Sequence, residues 1–175
     1  MLVSAVGCGG APAGPNLTTA PTAAVPTAAA TESAELDMCE LISLGDVQAV
    51  SPFSTPLTEV ERGLVPGMCT YSSAPDAEEH VSVLLSLTDL GTAENAAAHR
   101  NNYRQAALDQ GHQVTDISGL GDAAIGFGTD LVGVHAWIST LAIDANLGGE
   151  WPDTTDASKI AAATSLARTI IERLP

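Results

Sequence analysis

Four histidines come first among residues that could do chemistry, because histidine is a common acid, base and metal ligand near neutral pH. They are His80, His99, His112 and His135, and no two of them share a spacing such as His-x-x-x-His. No two cysteines lie close enough in sequence to complete a metal-binding motif. The sequence therefore predicts no metal site and no cofactor, and we interpret the histidines as solvated or as satisfied inside the fold.

The turn Gly119-Leu120-Gly121-Asp122 is the best candidate for a ligand site. Its two glycines expose backbone amides that can cradle an anion or hold the Asp122 carboxylate toward a ligand. The competing interpretation is structural, because an aspartate after glycine can accept hydrogen bonds from the amides of its own turn. Gly-x-Ser-x-Gly and Ser-x-x-Lys motifs are both absent. Gly119, Gly121 and Asp122 are therefore a candidate ligand turn, and no catalytic residue is assigned.

Cys8 is predicted to carry a lipid. It follows the small and apolar run Leu2-Val3-Ser4-Ala5-Val6-Gly7, and its Gly-Cys pair is of the kind that bacterial lipoprotein processing uses. A signal peptide needs a basic region and roughly 7 to 15 apolar residues. We therefore interpret residues 1–7 as the residual part of a signal peptide whose true start lies upstream. The alternative is a free or buried Cys8 thiol, for which the neighbouring sequence offers no core.

Residues 8–35 are predicted to be a lipid-anchored linker. After Cys8 they are rich in Ala, Thr, Pro and Gly, with no charged residue before Glu32, a composition that cannot bury a core. The prolines stiffen the segment, so its reach lies between roughly 30 Å as a coil and roughly 80 Å when extended. We expect an exported domain anchored by lipid to the outer face of the cytoplasmic membrane.

Residues 36–175 have the size of one folded domain. The chain is 45% hydrophobic but only 3% aromatic, so its core must consist mainly of Val, Leu, Ile and Ala. A formal net charge of -15, with only 6 basic residues, argues against nucleic acid as a partner. The expected partners are the membrane, through the lipid anchor, and an unknown envelope ligand or protein.

Cys39 and Cys69 remain once Cys8 is assigned to the lipid. They either form a disulfide or stay as two separate thiols, and the oxidising compartment outside the membrane favours the disulfide. Such a bond would tie a short amino-terminal helix to the first strand of the domain.

Hydrophobic periodicity predicts an α+β fold, an antiparallel sheet with helices packed on it in a single domain clipped by one disulfide. Ser43, Thr92 and Thr155 are typical helix N-caps, and they predict a short helix to Val50, a longer one to Gln110 and a last one with an apolar stripe from Ile160 to Leu174. Strands are predicted at Leu64 to Ser73, at Val81 to Thr88, from Val114, at Ala123 to Gly128, and as two strands within Leu131 to Leu147 that reverse near Ile138-Ser139-Thr140, whereas residues 56–62 are ambiguous.

Four short motifs occur in order along the folded part: Asp37-Met38-Cys39 with Leu41-Ile42, Ser43-Leu44-Gly45-Asp46-Val47, Met68-Cys69-Thr70-Tyr71 and Gly119-Leu120-Gly121-Asp122-Ala123-Ala124. Together they resemble the actinobacterial lipoproteins of the DUF3558 family. The resemblance covers residues 36–175, and its most specific element is the last motif. It implies an exported, lipid-anchored α+β domain with one disulfide, and it implies no known activity.

The preferred hypothesis for function is a non-enzymatic binding or sensing module of the cell envelope. The alternatives are an envelope hydrolase that uses Asp122 with His112 or His135, and a structural or assembly lipoprotein. A cleft that holds a histidine within hydrogen-bond reach of Asp122 would favour the hydrolase. A cavity without convergent polar groups would favour binding, and the lack of any pocket would favour the structural role.

The lipid anchor is tested by Cys8→Ala in a chain that carries a complete upstream signal peptide. The two or three acyl chains of a processed lipoprotein hold it firmly on a membrane, and the variant cannot receive them. We expect Cys8→Ala to move from the membrane fraction to the soluble fraction, while Ser4→Ala stays with the membrane. Equal membrane fractions for the two variants would contradict the anchor.

Overall fold

A seven-stranded antiparallel sheet organises the structure, a computed structural model that describes residues 36–65, 67–128, 132–149 and 154–175. The α+β class predicted from the sequence is confirmed. The strands are β1 Leu57–Arg62, β2 Met68–Ser73, β3 Val81–Asp89, β4 Gln113–Asp116, β5 Ala123–Gly128, β6 Val132–Ile138 and β7 Leu141–Gly149. The helices within the described residues are α1 Met38–Leu41, α2 Leu44–Val50, α3 Ala93–Asp109 and α4 Asp156–Arg173.

The predictions that concern the membrane fall outside the described residues. These are the residual signal peptide at residues 1–7, the linker at residues 8–35 and the lipidation of Cys8. Among the helices that are described, none is both long enough and apolar enough to cross a membrane.

Two meanders of consecutive strands make up the sheet, in the order β1-β2-β3-β7-β6-β5-β4. They join where β3 pairs with β7 along the whole length of both strands, from Val81↔Gly149 to Asp89↔Leu141. The chain must therefore travel from β3 in the middle of the sheet to β4 at its edge, and α3 makes that crossing. Because the crossing runs over one face, α3 lies over β5 and β6 there. The described helices leave β1, β2 and the Val81 end of β3 uncovered on that same face.

The predicted reversal near Ile138-Ser139-Thr140 is confirmed. β6 ends at Ile138, β7 begins at Leu141, and Ser139 takes a positive φ of 55°. Other boundaries differ from the prediction, because the strand expected from Leu64 begins at Met68 and the ambiguous residues 56–62 contain β1. As an edge strand, β1 buries only Leu57, so its sequence carries little periodic signal.

The larger core lies between the first face of the sheet and the helices α1, α2 and α4. The strand predicted at Val81 to Thr88 is confirmed as β3, and its Val81, Val83 and Leu85 are each at most 3% exposed. Leu166 of α4 is also buried in this core. The other buried residues of α4 are Ala162, Ala163, Ala167 and Ile170. Three alanines on this stripe let the helix approach the sheet closely.

Polar contacts fasten the amino-terminal helices to this core. Ser43 caps α2 as predicted, since its hydroxyl accepts a hydrogen bond from the Asp46 amide at 3.2 Å. Arg173 at the end of α4 donates to both carboxylate oxygens of Asp46 at 2.7 and 2.8 Å. The hydrogen bonds from Arg173, and then those from Ser43, hold the pKa of Asp46 well below its usual range. The Tyr71 hydroxyl donates to the Ile42 carbonyl at 2.5 Å, and burial raises the pKa of Tyr71 to about 12.

The predicted disulfide between Cys39 and Cys69 is confirmed, with 5.3 Å between their Cα atoms. It joins α1 to β2, so the expected attachment to the first strand is wrong by one strand. The reason is that residues 57–62, whose sequence is ambiguous, form β1 ahead of it. Cys69 is fully buried in the larger core, and the bond therefore fixes a helix of only four residues that could not persist alone.

Reduction of this disulfide is expected to lower the free energy of unfolding by about 3 to 4 kcal/mol, because the unfolded chain regains the freedom of a loop of about thirty residues. Urea unfolding of the oxidised and fully reduced protein, followed by circular dichroism, measures the difference. The double variant Cys39→Ser, Cys69→Ser should match the reduced protein and ignore the reductant. Coincident unfolding curves with and without reductant would show that the bond does not stabilise the fold.

Candidate functional site

Asp122, the centre of the predicted ligand turn, is used inside the fold. Its carboxylate accepts a hydrogen bond from the Ser139 amide at 2.7 Å, and its own amide donates to the Trp137 carbonyl at 2.8 Å. The structural interpretation expected Asp122 to bond the amides of its own turn. The carboxylate instead holds the reversal between β6 and β7, a neighbouring turn that lies 17 residues away in sequence.

The two glycines of this turn differ in their surroundings. Both have positive φ, 72° at Gly119 and 63° at Gly121. A Cβ atom on Gly121 would lie 2.4 Å from the Trp137 carbonyl oxygen, whereas one on Gly119 would meet no atom within 4 Å. Gly121 is therefore required by a close approach to β6, and its backbone is not open to a ligand on that side.

The structure places Asp122 apart from the histidines proposed to work with it. Asp122 precedes Ala123 at the start of β5, while His112 precedes Gln113, which pairs with Gly128 at the opposite end of β5. His135 pairs with Ile125, three residues further along β5 than Asp122. The hydrogen-bonded pair that the hydrolase hypothesis requires is thus not formed.

A different group of polar side chains comes together on the second face of the sheet, the face under α3. His135 of β6 is paired directly with Asp144 of β7, and Asp144 with Ser86 of β3. The Ser86 hydroxyl donates to one Asp144 oxygen at 3.0 Å, and the other Asp144 oxygen contacts Nδ1 of His135. We call Ser86, Asp144 and His135 the polar row.

Aromatic rings from α3 and β6 close over the polar row. The Tyr103 ring lies 3.9 Å from the His135 ring, centroid to centroid, and the His99 ring lies 5.3 Å from it. Trp137 is 4.2 Å from His135 and donates a hydrogen bond from Nε1 to Nδ1 of His99 at 3.3 Å. We call His99, Tyr103, His135 and Trp137 the ring cluster. It fixes the inward side of α3 to the sheet.

The ring cluster shifts the titration of two of its members. Burial lowers the pKa of His99, the adjacent His135 lowers it further, and Asp144 opposes both effects. Burial and then the negative charge of Asp144 raise the pKa of Tyr103 well above its usual range. At neutral pH His99 is therefore an uncharged acceptor and Tyr103 an uncharged phenol.

The order of groups in the polar row does not fit nucleophilic catalysis. A catalytic serine faces Nε2 of its histidine while the carboxylate holds Nδ1. Here Ser86 bonds the carboxylate, and Nε2 of His135 is buried in a residue that is 1% exposed. A substrate has no access to that nitrogen, so the row is not arranged as a general base either.

Two atoms in or beside the polar row are buried without a hydrogen-bond partner. They are Nε2 of His135 and the side-chain oxygen of Asn146. Asn146 neighbours Asp144 on the same face of β7 and pairs with Gly133. Buried polar groups without partners are rare in native proteins and need a reason. This concentration makes the second face the candidate functional surface.

The sequence contains a signal for the polar row in the positions of His135 and Asp144 on either side of the β6–β7 turn. Once the chain reverses at Ser139-Thr140, residues at equal distances from the turn face each other, so His135 must pair with Asp144. Their spacing of nine residues is not a known ligand or catalytic motif, which is why a search for motifs passes over it. The contribution of His99 and Tyr103 depends on the crossing of α3 and has no local signal.

A surface depression of about 370 Å³ lies on the uncovered part of the second face. Its volume falls within the usual range for ligand sites, roughly 300 to 1,000 Å³. The polar lining residues Glu59, Ser72 and Ser82 come from three neighbouring strands or their ends, and His80 lies at the rim of β3. Its lining within the described part of the chain is Glu59, Ser72, Ser73, Pro75, His80, Val81 and Ser82. A smaller cavity of about 120 Å³ lies beside Tyr103 and Phe127 under α3.

Comparisons with family models, curated proteins and solved structures give no match for this chain. Among the described residues, no group of three His, Cys, Asp or Glu side chains is placed to hold a metal ion. The contacts of the second face are therefore the observations from which function can be inferred.

The packing of the ligand turn is tested by Gly121→Ala, with Gly119→Ala as the matched control. Each change forces alanine into a left-handed conformation, which is unfavourable by about 1 to 2 kcal/mol. Gly121→Ala also drives a Cβ atom into the backbone of β6, and we expect a further loss of roughly 1 to 3 kcal/mol in the free energy of unfolding. Urea unfolding measures both variants. Equal losses would show that the turn does not pack on β6 as described.

Proposed function

We propose that the chain is a lipoprotein of the DUF3558 kind, exported and anchored through Cys8 to the outer face of the cytoplasmic membrane, where it is a non-enzymatic binding or sensing module. The observation that carries the proposal is the use of Asp122 by Ser139. With that carboxylate committed to a structural hydrogen bond, the candidate turn offers no converging groups for catalysis. Binding is the function that remains for the second face.

The location outside the membrane is supported by the disulfide. Disulfides persist in oxidising compartments and are rare in the bacterial cytosol. The bond between Cys39 and Cys69 joins α1, the first helix after the proposed linker, to strand β2. The same bond is what the resemblance to the lipoprotein family implies.

The binding surface is the depression of about 370 Å³ on the uncovered part of the second face. Hydroxyl groups of Ser72 and Ser82 project from a rigid sheet, and Glu59 adds a negative charge at its edge. Such groups offer hydrogen bonds to a polar molecule of the envelope or to an extended segment of a protein. An antiparallel sheet places them at fixed distances, so ordering them before binding is unnecessary.

Two alternatives remain as hypotheses. An envelope hydrolase would need Asp122 to leave the Ser139 amide and reach a histidine. A structural or assembly lipoprotein would use the same face without a soluble ligand. A substitution of Ser72 that fills the depression separates both from a binding module, because only the binding module needs the depression to stay open.

The proposal is tested by recovering ligand from the native envelope with the lipid-anchored protein and identifying it by mass spectrometry. Ser72→Lys fills the depression, and Ser165→Lys adds the same charge on the exposed side of α4. We expect wild type and Ser165→Lys to enrich the same molecule and Ser72→Lys to lose at least about tenfold, equivalent to roughly 1.4 kcal/mol of binding free energy.

Equal recovery with Ser72→Lys and Ser165→Lys would place binding elsewhere and contradict the proposal. Hydrolysis products in place of an intact ligand, abolished by Asp122→Asn, would support the hydrolase. A protein scaffold recovered by all three forms, with no small molecule, would support the structural role.

A further inference from the structure

We propose that α3 is a proton-released cover: protonation of His99 at acid pH breaks its contact with Trp137 and opens the amino-terminal half of α3 away from the second face. The inference deepens the proposed sensing function by naming the proton as its regulator. Export is the part of that function on which it rests, because only an exported domain meets the pH of the surroundings.

The direction of one hydrogen bond makes His99 the switch. The indole Nε1 of Trp137 can only donate, and it donates to Nδ1 of His99 at 3.3 Å. His99 must therefore carry its proton on Nε2 while α3 is docked. A second proton would enter at Nδ1 and set two N–H groups against each other. Trp137 is 3% exposed, so its N–H has no water to turn to when the acceptor is lost.

The surroundings of His99 oppose a proton on its ring, through burial first and then through the adjacent His135. From β7, Asp144 is held against His135 by one oxygen and against the Ser86 hydroxyl by the other. The same carboxylate cannot compensate both imidazoles, whose ring centres are 5.3 Å apart. The remaining titratable neighbour in the ring cluster is Tyr103, which stays neutral throughout this range. A proton on His99 therefore has no carboxylate in contact with it and drives α3 away.

The rest of α3 holds it weakly. Of its 17 residues, only Ala96 and Ala107 are buried, and an alanine contributes little apolar area. The Arg104 guanidinium donates to Asp116 of β4 at 2.5 Å. It lies in the carboxyl-terminal half of the helix and is exposed, where ion pairs are weak. The expected opening is therefore a hinge about the Arg104 end.

The sign of the pH dependence follows from the lowered pKa of His99. Above the ordinary histidine pKa of about 6.5, both docked and open forms hold His99 neutral, and docking has its full stability. As the pH falls through the lowered pKa, the open form binds the proton more readily, so docking is lost. Opening exposes Ile125 and Trp137 beside the uncovered half of the same face.

Amide hydrogen exchange of the full-length protein, followed by NMR from about pH 7.5 to about pH 4.5 and corrected for intrinsic rates, tests the cover. We expect protection in the amino-terminal half of α3 to fall at least about tenfold while α4 stays protected. His99→Gln keeps an oxygen acceptor for Trp137 and cannot titrate, so its α3 should stay protected at low pH. Asn101→Gln introduces the same residue on the exposed side of α3, and its α3 should open as in wild type.

Unchanged protection of wild-type α3 across this range would overturn the proposal, and so would opening of His99→Gln at the wild-type pH. If α3 of His99→Gln is not docked at neutral pH, the test is the imidazole titration of His99 in the wild type and in Trp137→Phe. Trp137→Phe removes the opposing donor and should raise the midpoint of His99, and an unchanged midpoint would contradict the mechanism. A cover that opens with no ligand recovered by the wild type would refute the proposed binding function and leave the proton response standing.

Discussion

Pairing of Ile138 with Leu141 across the Ser139-Thr140 turn decides which side chains of β6 and β7 face α4 and which face α3. With this register Val134 and Ala145 point into the larger core, and His135 stands beside Asp144 under α3. Because successive side chains in a strand alternate, a slip by one residue would bury the imidazole against α4. The positive φ of Ser139 and the hydrogen bond from its amide to Asp122 hold this register. Asp122 of the predicted ligand turn therefore helps to determine which side chains lie on the candidate surface.

The sequence predicts local structure well where a side chain bonds its own neighbours. Ser43, Thr92 and Thr155 cap the helices they were expected to cap, since each hydroxyl accepts from an amide three residues on. It does not predict that β3 lies beside β7, because that pairing joins residues far apart and no short pattern encodes it. The candidate surface depends on this strand order, and for that reason only its parts, and not their assembly, could be predicted.

The two faces of the sheet are stabilised in different ways. The first face has a disulfide, a capping box tied to Arg173, and a helix that buries five apolar residues. The second face has rings tilted against a histidine and buried polar atoms without partners. Native proteins open first where few apolar contacts hold an element, and ligand-dependent motion draws on such regions. The interactions that stabilise this fold most thus lie on the first face, away from the surface on which binding is proposed.

The polar row is not something the sheet requires. In the neighbouring positions of the same two strands, Val134 opposite Ala145 and Ala136 opposite Ile143 fill the pairing with apolar side chains and need no hydrogen bonds. Burying polar side chains lowers stability unless their polar atoms are hydrogen-bonded. His135 and Asp144 therefore stand where an apolar pair would serve stability better, and the property they add is a polar group beneath a weakly held helix.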